Sequence, residues 1–556
     1  MNDIYVFSKD KQTIELRFDS SPALAYYAQK IPSAIYDEDN RCWYIDTSYS
    51  MFVREFCDFA TKRRLARSVI NMEEGDVAKT MADLMPDLQY PYQMKMDPYD
   101  YQRKGIQYML DHKRTFNGDD MGLGKTFQSI AAVSIAKAYP CLVVCPAAMK
   151  VTWMREFMKF IGKNAMILDN SNKDTWQRYF ETGTCNIFIT NYESVKKYFV
   201  KRLAGKRVTT KNIILDHRAA MFKSVIIDES HRCKASSTHW SKYLEKICDG
   251  KEYIFLLTGT PIVINNTDLI QQLKILQRLD DFGGIRKFRE RYCSGPTGSS
   301  NMSELNYRLW KTCYFRRDKS LVLKELPDKT RQYLIVDITN RKEYDTAEKD
   351  LITYLKKYEK ADDEKLHKAM VALAMVQINS LRQLTARGKM QEAIKFIRDV
   401  IDSGNKLIVF AFHKHVINEI VETFPGCVTV TGTDSQEKKQ KAVDAFQNDE
   451  NCKLIALNYK SGGVGITLTA ASRILFIEFP WTSSDCEQSE CRAHRNGQKN
   501  AVDCYYLLAR NTFDERILDI IQNERRDASI VTGAPNDTEE KMIDLTLEYY
   551  KTKHKL

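Results

Sequence analysis

At 556 residues the chain is too long for one hydrophobic core, and at about 150 residues per domain it predicts three or four. Its 43% hydrophobic and 28% charged residues exclude a fibrous or disordered chain, while a net charge of +11 points to a polyanionic partner. The fourteen cysteines are scattered without a C-x-x-C pair, which argues against a zinc or disulfide framework and predicts reduced core thiols.

The first residues, Met1-Asn-Asp-Ile-Tyr-Val6, lack the basic and apolar regions of a secretory leader, and no run of 18 apolar residues follows. A protein neither secreted nor membrane-spanning is expected. Residues 1–90 mix β-like runs (Ile14–Phe18, Arg41–Ile45) with helical ones (Ala23–Lys30, Met51–Lys62), which predicts a small α+β module. Prolines at 86, 91 and 98 mark its boundary.

From 97 to 279 strands and helices alternate. Cys141–Cys145, Asn186–Thr190, Ser224–Asp228 and Tyr253–Leu257 are short apolar runs, as in a parallel sheet covered by helices on both faces. Residues 280–394 read instead as polar helices without alternating strands, carrying a basic and aromatic segment at Lys311–Arg317. A second alternating block spans 395–530, with strands at Lys406–Phe412, Cys427–Thr431, Lys453–Leu457 and Arg473–Ile477. Phe513–Arg526 is an amphipathic helix expected to pack back on a sheet, and 531–556 form a charged tail.

The chemistry-bearing stretches lie where such sheets place ligands, at the carboxyl ends of strands. Gly118-Asp-Asp-Met-Gly-Leu-Gly-Lys-Thr126 is a glycine-rich turn between two helical segments, which aims backbone N–H groups and a positive helix end at an anion. Lys125 is placed to reach the β- and γ-phosphates and Thr126 to hold Mg²⁺, although the strict phosphate-loop pattern wants glycine where this chain has Asp119. Val225-Ile-Ile-Asp-Glu229 runs an apolar strand into two acids. Asp228 is suited to Mg²⁺ and Glu229 to aligning and deprotonating a water. Arg492 and Arg495 stand three apart, hence on one helical face, where they could offset transition-state charge when two lobes close. A basic stretch, Lys196–Arg218, is a further candidate for touching nucleic acid, beside the plainer reading of a solvated loop.

In order, Gln102, Asp120–Thr126, Asp228–His231, Leu257–Pro261, Ser461–Ala471 and Gln488–Gln498 resemble the motifs of superfamily-two helicase-like ATPases. The Arg-His-Arg-x-Gly-Gln type ending, Trp481 and Phe315-Arg-Arg-Asp-Lys319 through Pro327 look like the Swi/Snf group, over residues 97–530. Tyr36, Asp37, Arg41 and Trp43 are similar to the HARP module of annealing helicases. The chain departs from the group at Asp120, usually glutamate, and at Pro261–Asn265, one residue longer than usual.

The resemblance implies an α/β fold of two RecA-like parallel-sheet lobes with helical insertions, behind the N-terminal module. It implies ATP and Mg²⁺ as cofactors. Gln102 would recognise adenine, with Gly122, Gly124, Lys125, Thr126 and Gly465 completing the nucleotide site. Lys125, Asp228, Glu229, Arg492 and Arg495 would be catalytic, and Thr126 and Asp228 would hold the metal. Thr258 and Thr260 would link DNA contact to hydrolysis. The function implied is a DNA-dependent ATPase translocating on double-stranded or forked DNA to remodel or anneal it, gripping phosphates without reading bases. A monomer is expected, located with the DNA (cytoplasmic, or nuclear in a eukaryote), with replication or repair proteins as further partners and no membrane. The alternatives are an RNA helicase and a non-catalytic DNA-binding scaffold.

Overall fold

The computed structural model describes residues 2–8, 12–18, 21–38, 41–73, 81–205, 207–236, 238–259, 266–293, 300–323, 325–358, 364–459, 466–480 and 482–526. Among the described residues two compact units emerge, one of residues up to 120 together with 124–318, the other of residues 121–123 together with those from 319 onwards.

The first unit opens with a five-stranded sheet of β1 (Asn2–Ser8), β2 (Thr13–Phe18), β3 (Ile35–Asp37), β4 (Cys42–Asp46) and β5 (Ala66–Glu73), ordered β3-β4-β2-β1-β5. The helices Pro22–Ala28 and Ser50–Lys62 bury Leu24, Val53, Phe56 and Ala60 against Ile4, Ile14, Leu16 and Ile45 of this sheet. The module is not a separate body, because Arg17 is buried against Glu15 and Asn301 and the Tyr5 ring meets Tyr307 edge-on at 6.1 Å. The helices Gly284–Tyr292 and Met302–Thr312 thus carry the surface on which it sits.

The same unit continues with β6 (Arg114–Asn117), β7 (Cys141–Cys145), β8 (Met166–Ile167), β9 (Ile187–Asn191), a hairpin of β10 (Val200–Leu203) and β11 (Ile213–Leu215), then β12 (Ser224–Asp228), β13 (Tyr253–Leu257) and β14 (Tyr314–Phe315). Apart from the hairpin these strands form one parallel sheet, ordered β14-β6-β13-β12-β7-β9-β8. Its central strands are fully buried on both faces, which is why they read as continuous apolar runs.

The second unit holds a parallel six-stranded sheet of β15 (Lys329–Val336), β16 (Leu407–Ala411), β17 (Val428–Val430), β18 (Leu454–Asn458), β19 (Arg473–Phe476) and β20 (Val502–Ala509), ordered β15-β20-β19-β16-β18-β17. The helix Phe513–Arg526 buries Phe513, Ile517, Ile520 and Ile521 in its core, as its amphipathic spacing predicts. The expectation of polar helices without alternating strands over 280–394 needs a correction, because two strands fall there. Tyr314–Phe315 adds a parallel edge strand to the first sheet, and Lys329–Val336 adds one to the second. Both are edge strands, β14 is only two residues long, and β15 is half-exposed and carries Lys329 and Arg331, so neither gives a clear apolar run.

All fourteen cysteines are free thiols, and most are buried. Among the described residues no helix is long and apolar enough to cross a membrane.

Candidate nucleotide-binding and hydrolytic site

Strand β6 ends at Asn117, and the chain turns through Gly118–Gly124 into the helix Lys125–Ile135. Gly122 and Gly124 have φ of +89° and +78°, a backbone that side-chain-bearing residues seldom adopt. At Gly124 a Cβ would also lie 2.5 Å from Gln102 Nε2, so the loop packs tightly on that amide. Gln102 is buried in the first turn of the helix Asp100–His112 and accepts from Tyr99 N at 3.1 Å. The loop therefore delivers the first N–H groups of a helix, which have no carbonyl partner within it, beside a fixed amide.

Lys125 opens the helix and donates to the carbonyls of Asp119 (2.6 Å) and Asp120 (3.3 Å). Burial lowers its pKa, while Glu229, Asp119 and Asp120 oppose that shift. Asp228 is the last residue of β12. Trp153 Nε1 donates to its Oδ2 at 2.9 Å, and Tyr192 donates its hydroxyl to the Asp228 carbonyl at 2.5 Å. Burial, with Glu229 alongside, raises the Asp228 pKa. Glu229 itself sits at φ +54°, a strained conformation for a residue with a side chain.

From there a short polar chain runs to the next strand end. His231 Nδ1 lies 3.3 Å from Glu229 Oε2 and 3.1 Å from Thr258 Oγ1. Burial first, then Arg232 and Lys234, lowers the His231 pKa to about 4, so the ring is neutral. Thr258 is itself buried just past β13.

Within the first unit, Gln102 packs on Gly124 at the start of the helix that carries Lys125 and Thr126, after β6, and Asp228 and Glu229 stand at the carboxyl end of β12 in the same parallel sheet. Oxygen donors from Thr126 and Asp228 beside such a loop suit Mg²⁺, which binds through few protein ligands plus phosphate. Thr260, Pro261–Asn265, Ser461–Gly465 and Trp481 lie outside the described residues.

The second unit's arginines need a correction. The helix Ser483–Glu490 ends before them, so Arg492 and Arg495 sit in successive turns and share no helical face. Arg495 donates to Ile466 O (3.2 Å) and Thr467 Oγ1 (2.9 Å), and the Arg492 carbonyl accepts from Leu468 N (2.8 Å). Gln498 pins the turn by donating to Ala471 O at 2.9 Å.

Sequence reasoning missed what holds that turn. Glu490 is fully buried and receives Lys329 Nζ (2.6 Å), Arg331 Nε (2.7 Å) and the Tyr506 hydroxyl (2.7 Å). It missed Trp153 and Tyr192 as well, since both read as ordinary core aromatics. In the Lys196–Arg218 stretch, the Arg218 guanidinium is engaged by Asp216 at 2.7 and 2.9 Å and lies over the Trp176 ring.

Comparison with known proteins bears on this geometry. The SNF2-related domain matches residues 101–390, and the Helicase conserved C-terminal domain matches residues 388–497. The Drosophila melanogaster "SWI/SNF-related matrix-associated actin-dependent regulator of chromatin subfamily A-like protein 1" is 26% identical over 530 residues, covering 89% of this chain and 64% of that protein. The Mus musculus "DNA annealing helicase and endonuclease ZRANB3" is 28% identical over 492 residues, covering 83% of this chain and 42% of that protein. A solved "Sulfolobus solfataricus SWI2/SNF2 ATPase core in complex with dsDNA" is 23% identical with a TM-score of 0.38, covering 84% of this chain and 98% of that one. The chain thus spans about two-fifths to two-thirds of the length of these two curated relatives.

Proposed function

This chain belongs to the SNF2-related family, and from that premise we propose that it is an ATP-driven motor on duplex DNA that remodels or anneals forks, branches or protein–DNA complexes. The observation that supports this most is the placement of Lys125 at the start of the helix after β6 and of Asp228 and Glu229 at the end of β12, where their charges act on one another.

Each residue has a role in this reading. Gln102 holds the adenine side, and Lys125 with the loop N–H groups binds the phosphates. Thr126 and Asp228 hold Mg²⁺, which when bound neutralises charge developing on the transferred phosphoryl group. Glu229 orients the attacking water and accepts its proton, with His231 keeping the carboxylate in place. Arg492 and Arg495 supply further positive charge to the phosphoryl group. DNA is held by its phosphates, in keeping with the net charge of +11.

Phosphate release with single-stranded, duplex, forked and four-way DNA, and with RNA, tests the reading. Stimulation by duplex of almost any sequence, fading steeply with salt, is expected. Stronger stimulation by RNA would establish an RNA helicase instead, and no hydrolysis with any polymer would leave a scaffold.

The N-terminal module, on this proposal, adds a preference for forked DNA. Tyr36 is exposed and its ring lies 5.0 Å from that of Trp43, forming an aromatic surface beside Arg41. Because the module is packed onto the first unit, the fair test is Tyr36→Ala with Trp43→Ala rather than deletion. The double variant should keep duplex stimulation and lose the fork preference.

A further inference from the structure

Two adjacent arginines, Arg316 and Arg317, close the first unit, and the roles assigned above leave them unused. The chain before them forms β14 beside β6, and the pairing runs on into the phosphate loop. Gly118 N donates to Phe315 O at 2.8 Å and Asp120 N to Arg317 O at 3.0 Å. The entrance of the loop is thus stitched to a segment about 200 residues downstream.

The Arg317 side chain is buried and grips Asp119 with two bonds, Nε to Oδ1 at 2.9 Å and a terminal nitrogen to Oδ2 at 2.5 Å. Its guanidinium also donates to Gln128 Oε1 at 2.9 Å and to the Tyr101 carbonyl. Asp119 has no exposed surface and accepts in addition from Gln128 Nε2 and Arg317 N. The acid standing where a strict phosphate loop has glycine is therefore an anchor. A bidentate arginine–carboxylate pair fixes orientation as well as position.

Arg316 does something different. One of its terminal nitrogens donates to Gly118 O at 3.1 Å and to Gly259 O at 2.8 Å, while the other lies 3.4 Å from Asp318 and 3.9 Å from Asp120. Gly118 begins the phosphate loop. Gly259 follows Thr258, the end of the Glu229–His231–Thr258 chain. A single buried guanidinium therefore sets the spacing between the phosphate loop and the turn after β13.

We propose that Arg316 is a positioning residue that couples the Thr258–Gly259 turn to the phosphate loop, with the Arg317–Asp119 pair as the anchor that makes the coupling stiff. It acts through the two carbonyls it binds, Gly118 O and Gly259 O. The inference rests on the ATPase reading given above and adds a route by which events at one strand end reach the other.

Arg316→Gln tests it, with fluorescent-nucleotide affinity, kcat on saturating duplex DNA and melting temperature measured on the full chain. Nucleotide Kd should stay within about twofold while kcat falls roughly tenfold or more, because geometry between the two loops matters most when the phosphoryl group transfers. Arg316→Lys, which keeps the charge and can reach one carbonyl at a time, should recover part of that loss and serves also if the glutamine variant folds poorly. Arg317→Gln should instead weaken nucleotide binding by roughly tenfold, because the loop itself loses its anchor. Wild-type kcat in Arg316→Gln, or nucleotide affinity and kcat falling together with melting temperature in both Arg316 variants, would overturn the coupling. A wild-type protein without turnover on any polymer would instead overturn the function itself, and the coupling with it.

Discussion

The two units hold their charged groups in opposite ways. In the first, Lys125 begins a helix, Asp228 ends a strand and Glu229 follows it, so main-chain geometry within a few residues places each one. In the second, Arg492 and Arg495 hang on turns beyond a helix. Their support is Glu490, buried against Lys329 and Arg331 from a strand about 160 residues earlier. Function and stability should therefore be separable in the first unit and entangled in the second.

The largest effects test the first half of that contrast. Lys125→Ala should abolish phosphate release, and Glu229→Gln should lower kcat by about a thousandfold while nucleotide binding persists, since only water activation is lost. Neither should move the melting temperature much. Glu229→Gln turning over near the wild-type rate would remove it from the role proposed here.

The second half is tested by Glu490→Gln. The substitution leaves Lys329 and Arg331 partly buried with Glu487, which pairs with both, as their remaining carboxylate there, and weakening such a cluster costs about 2 kcal/mol. Urea unfolding should show that loss, with kcat falling too as the arginine turn loosens. A variant that loses kcat at full stability would show that the cluster serves chemistry alone.

The same contrast explains what could be read from the sequence. Cys141–Cys145 and Ser224–Asp228 match their strands because a strand buried on both faces must be a continuous apolar run. Lys125, Asp228 and Glu229 were legible because each belongs to a short motif that is also a short piece of backbone. Lys329–Val336 was not, because its identity as a strand depends on pairing with Val502–Ala509, far along the chain. Asp119 looked like a blemish in a motif until Arg317 supplied the reason for it. The three-residue spacing of Arg492 and Arg495 implied one helical face, but the helix stops at Glu490.

A smaller effect is expected at Gly105, inside the helix Asp100–His112. A Cβ there would stand 2.0 Å from Gln128 Oε1 and 2.6 Å from a terminal nitrogen of Arg317. Both atoms are committed to the Asp119 anchor, so neither can swing aside freely. Gly105→Ala should cost about 1–3 kcal/mol by overpacking, despite alanine's better helix propensity. Thermal unfolding measures it, and a more stable variant would show that the anchor is looser than its hydrogen bonds imply.

The smallest effect is pH-dependent and belongs to the second unit. His494 lies within the arginine turn, its Nε2–H donating to the Pro327 carbonyl at 2.9 Å, and its buried Nδ1 meets no hydrogen-bond partner among the described residues. Burial first, then the nearby Lys319 and Lys329, lowers its pKa to about 4, against the opposing pull of Pro327 and Glu490. An unfolded histidine titrates near 6.5, so the unfolded chain takes up this proton before the folded one does. The neutral ring therefore contributes full stability above about pH 6.5, and that contribution drains away as pH falls towards 4. His494→Gln removes the titration but keeps a donor at the tip. The melting-temperature advantage of the wild type over this variant should shrink by about a degree between pH 7.5 and 5, a modest figure because the ring is only half-buried. The other histidines titrate alike in both proteins and cancel in the difference. An advantage that stayed constant across that range would mean that His494 takes up its proton as readily in the folded turn as in the open chain.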